Sequence, residues 1–324
     1  MKKMIALLLA LVMVMGLATV VSAETYNDMS SVAIKKTYTN ANNGINPEET
    51  FNFTIELKSV ENAGVAYDAA KQAMPTVASV KFAEGEATAT KDIAVTLPTY
   101  NAVGIYTYEI KETAGNTAGV TYHADPIKLV VTVIEQDGKV RVAAIHTETS
   151  GKKADTIVNV YESGALSVSK EVIGNLGDRE KEFDVTVTFT APARETVGAA
   201  ISYVEDGTTK TIAKGWTGTK EVTIALKHDE TIKFTNIPEG VTYAVKEADY
   251  TGEGYEAAVY AFSDEEKCVD AGVTGANEDT VKITNKKDVP VDTGITMDTV
   301  PFVVMIAIAV IGLAAFTAKK RVQE

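Results

Sequence analysis

The sequence predicts an all-β protein built as two tandem immunoglobulin-like β-sandwiches. Three observations carry this expectation. Short runs rich in Val, Ile, Thr, Tyr and Phe alternate with polar residues, as in Phe51-Asn52-Phe53-Thr54-Ile55-Glu56-Leu57 and Phe183-Asp184-Val185-Thr186-Val187-Thr188-Phe189. A period of two is the pattern of strands buried on one face. Turn signals such as Asp137-Gly138 and Asp206-Gly207 punctuate the runs, as tight hairpins require. The stretch also repeats itself, with little helical pattern beyond a short piece around Tyr67 to Ala73.

The repeat fixes the domain plan. Val32-Ala33-Ile34-Lys35-Lys36 matches Leu166-Ser167-Val168-Ser169-Lys170, and Tyr108-Glu109-Ile110-Lys111-Glu112 matches Tyr243-Ala244-Val245-Lys246-Glu247. Ile157-Val158-Asn159 matches Ile283-Thr284-Asn285. From Lys36 to Glu112 is 76 residues, and from Lys170 to Glu247 is 77. Two sandwiches of one plan are expected, over 24–161 and 162–288, with a short linker near Glu162-Ser163-Gly164.

The ends read differently. Residues 1–23 open with Lys2 and Lys3, continue as an apolar run to about Val21 and close with Val21-Ser22-Ala23. That is the layout of a secretory signal peptide. At the other end, an apolar helix is expected over 302–318, followed by the basic tail 319–324 with Lys319, Lys320 and Arg321. Seventeen residues are at the short limit for a membrane span, and the basic cluster places the bulk of the chain outside. Ahead of the run stands Val289-Pro290-Val291-Asp292-Thr293-Gly294, the start of a 289–324 tail.

Composition narrows the function. The chain has 324 residues, 45% hydrophobic, with one Cys and a formal charge of −13. A deficit of Lys and Arg against Asp and Glu, 31 against 44, argues against nucleic acid, because phosphate binding needs a basic surface. Three His and one Cys leave little for a metal site, and no cofactor is expected. An enzyme acting on an outside substrate is a distant reading, since His123, His146 and His228 are isolated and no nucleophile elbow or phosphate loop is present.

Strand parity points to the chemistry. Side chains two apart share a face, so Val32, Ile34 and Lys36 point one way, as do Tyr108, Ile110 and Glu112, and Ile157 and Asn159. The second domain does the same with Lys170, Glu247 and Asn285. Each domain thus turns a Lys, a Glu and an Asn toward its core, where an unpaired charge is costly. Desolvation lowers a lysine pKa and raises that of a carboxylic acid. A proton passing from Lys to Glu leaves a neutral amine, and its attack on the Asn carboxamide expels ammonia and leaves an amide. Fixed proximity of this kind is worth effective molarities of about 10⁵–10⁸ M. The competing reading is a buried ion pair with a hydrogen-bonded Asn; two copies in one order favour the covalent one.

These residues resemble the isopeptide-linkage domains of streptococcal-type major pilins, where a Lys on the first strand bonds to an Asn on the last and the Glu lies in a Tyr-x-(hydrophobic)-x-Glu strand. The resemblance implies Lys36–Asn159 and Lys170–Asn285 crosslinks, with Glu112 and Glu247 as proton-relay carboxyls. Lys35 points to the wrong face. The tail resembles the cell-wall sorting signal of Gram-positive surface proteins, with Val289, Pro290, Thr293 and Gly294 as its motif. It departs from the common L-P-x-T-G form, with Val at the Leu position and two residues between Pro290 and Thr293.

Both resemblances together imply a structural subunit of a covalent, wall-anchored surface fibre. Its partners would be sortase, other copies of itself or other pilins, and peptidoglycan. Lys152 or Lys153, just upstream of the last strand of the first domain, is the candidate acceptor of a neighbouring subunit. The alternative is a singly displayed adhesin binding a host or matrix ligand, for which Trp216 is a conceivable contact, though a lone Trp more often packs inside. Cys268, near Asp264, Glu265 and Glu266, reads as incidental.

Overall fold

The computed structural model describes residues 28–42, 44–86, 89–263 and 278–289. The expected signal peptide, Cys268, Pro290, Thr293, Gly294 and the apolar tail lie outside them. Among the described residues no helix is long and apolar enough to cross a membrane.

These residues form two β-sandwiches. The first holds β1 (Ser31–Asn40), β2 (Glu49–Glu61), β3 (Thr76–Val77), β4 (Val80–Phe82), β5 (Thr90–Thr96) and β6 (Gly104–Thr113). It continues with β7 (Val120–Thr121), β8 (Ile127–Gln136), β9 (Lys139–Thr149), β10 (Lys152–Lys153) and β11 (Thr156–Tyr161). One sheet runs β3-β5-β1-β11-β7, and the facing one β10-β9-β8-β6-β2-β4. The second sandwich holds β12 (Ser163–Ile173), β13 (Phe183–Thr190), β14 (Ile201–Glu205), β15 (Thr208–Ile212) and β16 (Thr219–Leu226). Then come β17 (Thr231–Pro238), β18 (Thr242–Glu247), β19 (Val259–Phe262) and β20 (Glu278–Lys286). Its sheets run β15-β14-β17-β12-β20-β19 and β16-β13-β18.

In both domains the first strand lies parallel to the last. Lys36 pairs with Ile157 across β1 and β11, and Lys170 with Ile283 across β12 and β20. The other strand ladders among the described residues are antiparallel, as hairpin-linked strands dictate. Asp137 and Gly138, and likewise Asp206 and Gly207, all have positive φ, which is the conformation two-residue hairpin loops demand. The piece around Tyr67 to Ala73 closes a single turn. The amides of Lys71 and Gln72 donate to the Asp68 carbonyl at 3.1 and 3.0 Å, and the Asp68 carboxylate accepts from the Ala70 amide. With one turn and no amphipathic partner face, a helix has nothing to propagate it.

Alternation does the packing. Ile34, Tyr106, Tyr108, Ile110, Leu129 and Ile157 are wholly buried in the first core, and Leu166, Val185, Val187, Phe189, Phe234 and Ile283 in the second. Each core also takes one small residue from the other domain: Ala199 packs into the first and Ala118 into the second. Nothing loose joins the two, for β11 ends at Tyr161 and β12 begins at Ser163. Asn236, held at φ 60°, bridges the joint. Its carboxamide donates to the carbonyls of Ile45 (3.1 Å) and Ala200 (3.0 Å) and accepts from the Ile45 amide at 2.9 Å. An ion pair between Lys214 and Glu84 spans the same joint.

Candidate functional site

Each domain brings its three polar core residues to one point between its sheets. In the first, Lys36 on β1 and Asn159 on β11 come from one sheet, and Glu112 on β6 from the facing one. Asn159 stands two positions beyond Ile157, the residue opposite Lys36, a step of about 6.6 Å along a strand that a lysine side chain covers. The Lys36 amine donates to Asn159 Oδ1 and lies 3.0 Å from Glu112 Oε2, with both side chains fully shielded from water. Asn159 Nδ2 donates to the other carboxylate oxygen, Oε1. One carboxyl group thus touches the nucleophilic nitrogen with one oxygen and the leaving nitrogen with the other, so it can take a proton from the first and return it to the second.

The second domain repeats this arrangement. Asn285 stands two positions beyond Ile283, the partner of Lys170. The Lys170 amine donates to Asn285 Oδ1 at 2.7 Å and lies 3.4 Å from Glu247 Oε1. Parity explains why these residues meet and Lys35 does not. Lys35 points outward and pairs with Asp92 at 2.5 Å, about half exposed.

Burial sets the protonation. Loss of water pushes the Lys36 amine down to about 8, with the Glu112 carboxylate opposing the change. Lys170 is lowered for the same reason, against the pull of Glu247. Burial raises the Glu247 carboxyl, with Asn285 and Lys170 opposing. Desolvation therefore narrows the gap between base and acid, which eases the proton exchange that makes the amine nucleophilic.

An aromatic wall completes each site. The Lys36 amine lies 4.1 Å from the centre of the Phe51 ring, and the Lys170 amine 4.4 Å from that of Phe183. The face of each ring accommodates the buried cation. In the sequence Phe51 and Phe183 mark strands and nothing more is expected of them. A signal of the role was there, since each Phe opens the alternating strand that follows the lysine strand in its repeat.

The remaining candidates are separate. Lys152 and Lys153 form β10, exposed at the edge of the six-stranded sheet, after a turn in which Ser150 and Gly151 have positive φ. Trp216 is buried in the second core, so it is no surface ligand contact. Val289 is exposed, and its main chain is clasped by Asn175: the Val289 amide donates to Asn175 Oδ1, and Asn175 Nδ2 donates to the Val289 carbonyl, both at 2.9 Å. Among the described residues no cluster of His, Cys, Asp and Glu is placed to hold a metal.

Comparison with known proteins agrees with this architecture. Residues 32–162 match the family described as Spy0128-like isopeptide containing domain. Residues 164–287 match a domain of unknown function, DUF7601. A curated relative, "Pilin" of Streptococcus pyogenes serotype M1, is 27% identical over 94% of each chain. The crystal structure of the major pilin from Streptococcus pyogenes superimposes with a TM-score of 0.54 at 23% identity, covering 82% of this chain and 100% of that one. The major pilin T3.2 from the same species gives 0.56 at 20% identity, covering 81% and 99%. At these identities the two structures speak for the fold.

Proposed function

We infer, for a pilin-type chain whose first domain belongs to the Spy0128-like isopeptide family, that it is a structural subunit of a covalently polymerised surface fibre, each domain locked by its own Lys–Asn amide. The observation that carries this reading is the doubled triad: buried Lys, Glu and Asn with one strand offset in both domains. Lys36 joins to Asn159 and Lys170 to Asn285. In each, the carboxyl of Glu112 or Glu247 moves the proton from the amine to the departing ammonia. Neither step needs a cofactor, and each happens once without turnover.

Assembly depends on the ends of the chain. After export, a sortase cuts between Thr293 and Gly294 and passes the Thr293 carbonyl to a lysine of another subunit, or finally to peptidoglycan. Exposure of Lys152 and Lys153 ahead of β11 favours them as acceptors. The covalent reading is tested by intact mass and a peptide map of the purified chain. The expected result is one ammonia missing per domain, with crosslinked peptides 36–159 and 170–285. Glu112→Ala should restore only the first ammonia and Glu247→Ala only the second. A full gene-encoded mass would end it. A ladder of multimers in wall extracts is expected for the fibre, and a single wall-linked band would indicate solitary display.

A further inference from the structure

The two triads differ in their walls. In the first domain the Glu112 strand, β6, is interior to its sheet, flanked by β2 and β8. In the second, among the described residues, the Glu247 strand, β18, pairs only with β13 and is the sheet's edge. Beside that edge a cleft of about 400 Å³ opens, walled by Tyr250, Tyr260 and the edge of β18, and Glu247 and Asn285 are among the residues that line it. Both stay almost wholly shielded from water, at 5% and 1% exposure, so little of either shows in the cleft. The Tyr260 hydroxyl accepts the Glu247 amide hydrogen at 2.8 Å and holds the edge in place.

We propose that this cleft is an amine port serving the Asn285 carboxamide, and that small primary amines are its ligand class. The inference rests on the crosslinking reading above. In the unmutated chain the port releases ammonia. Where the Lys170 amine is absent, it admits an outside amine that takes the lysine's part. The nitrogen of that amine attacks Asn285 Cγ, and a new C–N bond forms as the bond from Cγ to Nδ2 breaks. Glu247 accepts a proton from the incoming nitrogen and gives one to the leaving nitrogen, which departs as ammonia. The exchange of one amide for another needs neither oxidant nor reductant.

The test is chemical rescue. Chains carrying Lys170→Ala, and separately Lys36→Ala, are incubated folded with methylamine and mapped by mass spectrometry. Asn285 should become its N-methylamide in most of the Lys170→Ala chain, while Asn159 stays unmodified in the Lys36→Ala chain. Adding Glu247→Gln should abolish the label. Hydrogen-exchange protection of the altered domain's own strands reports its folding, and Lys170→Met, which keeps the side chain's volume, gives the same readout if Lys170→Ala does not fold. No label at Asn285 in a folded chain, equal label at Asn159, or hydrolysis to aspartate in place of the methylamide would overturn the port. The intact mass of the unmutated chain separates the outcomes: if it lacks its ammonias and the variant stays unlabelled, only the port fails.

Discussion

Lys170 and Asn285 lie on adjacent parallel strands two positions out of register, which sets the amine 2.7 Å from the carboxamide oxygen. The same offset relates Lys36 to Asn159. The covalent bond proposed at this point would tie the first strand of a domain to its last, and its consequences can be measured one at a time.

Asn285→Ala should leave the first crosslink intact and weaken the second domain. The proposed bond from 170 to 285 would close a loop of 115 residues, and by analogy with a disulfide it would restrict the unfolded chain by about 4–5 kcal/mol. Guanidinium unfolding should show a loss of that order. An unchanged midpoint would mean the bond contributes nothing to stability.

Asn159→Ala leaves Lys36 free to titrate. Its amine sits at about 8 when folded, below the ordinary lysine value of 10.5 that applies unfolded. Between these values the unfolded chain binds more protons, so stability should rise with pH through that window, while below it the folded chain carries the full cost of the buried charge. The expected gain is on the order of 3 kcal/mol. Urea melts across the window check it, with the Lys36→Met, Asn159→Ala double variant as the baseline that lacks this contribution. Stability that falls there would contradict the assignment.

Asn236→Gly should loosen the joint without touching either triad. Glycine keeps the positive φ while the bonds to Ile45 and Ala200 are lost. Small-angle scattering should broaden, and the ammonia deficit in the intact mass should not change. A scattering curve identical to the parent's would show that the interlocked Ala118 and Ala199 suffice.

Tension applied between Lys152 and Thr293 should run along β11 into β12, cross from Lys170 to Asn285 and leave along the chain beyond β20. Single-molecule pulling should therefore lengthen Lys170→Ala chains and barely affect Lys36→Ala, whose bond lies beside the path. Equal extension in both would reject this route.

Much of the site is legible from parity alone. Lys36 and Lys35 are neighbours of one residue type, yet period two sends one to Asn159 and the other to Asp92. Repetition makes the sites a pair, because chance alignment of three polar core positions twice is hard to arrange. What parity cannot give is strand order. That β6 is interior and β18 an edge depends on which strands neighbour them, and no local pattern encodes this. The roles of Phe51 and Phe183 are only faintly marked, because an aromatic at the head of an alternating run fits any core. Asn236 escapes notice because a left-handed Asn inside a strand run leaves no mark on the alternation.

The parallel pairing of β1 with β11 also governs timing. Lys36 meets its partner only when residue 159 has arrived, 123 residues later, and the second domain closes only with its final strand. If the chain is threaded amino end first through a narrow export channel, as the proposed function implies, it would stay slack until a whole domain had emerged. The proposed crosslink would then form only on the far side, where it could not jam the channel.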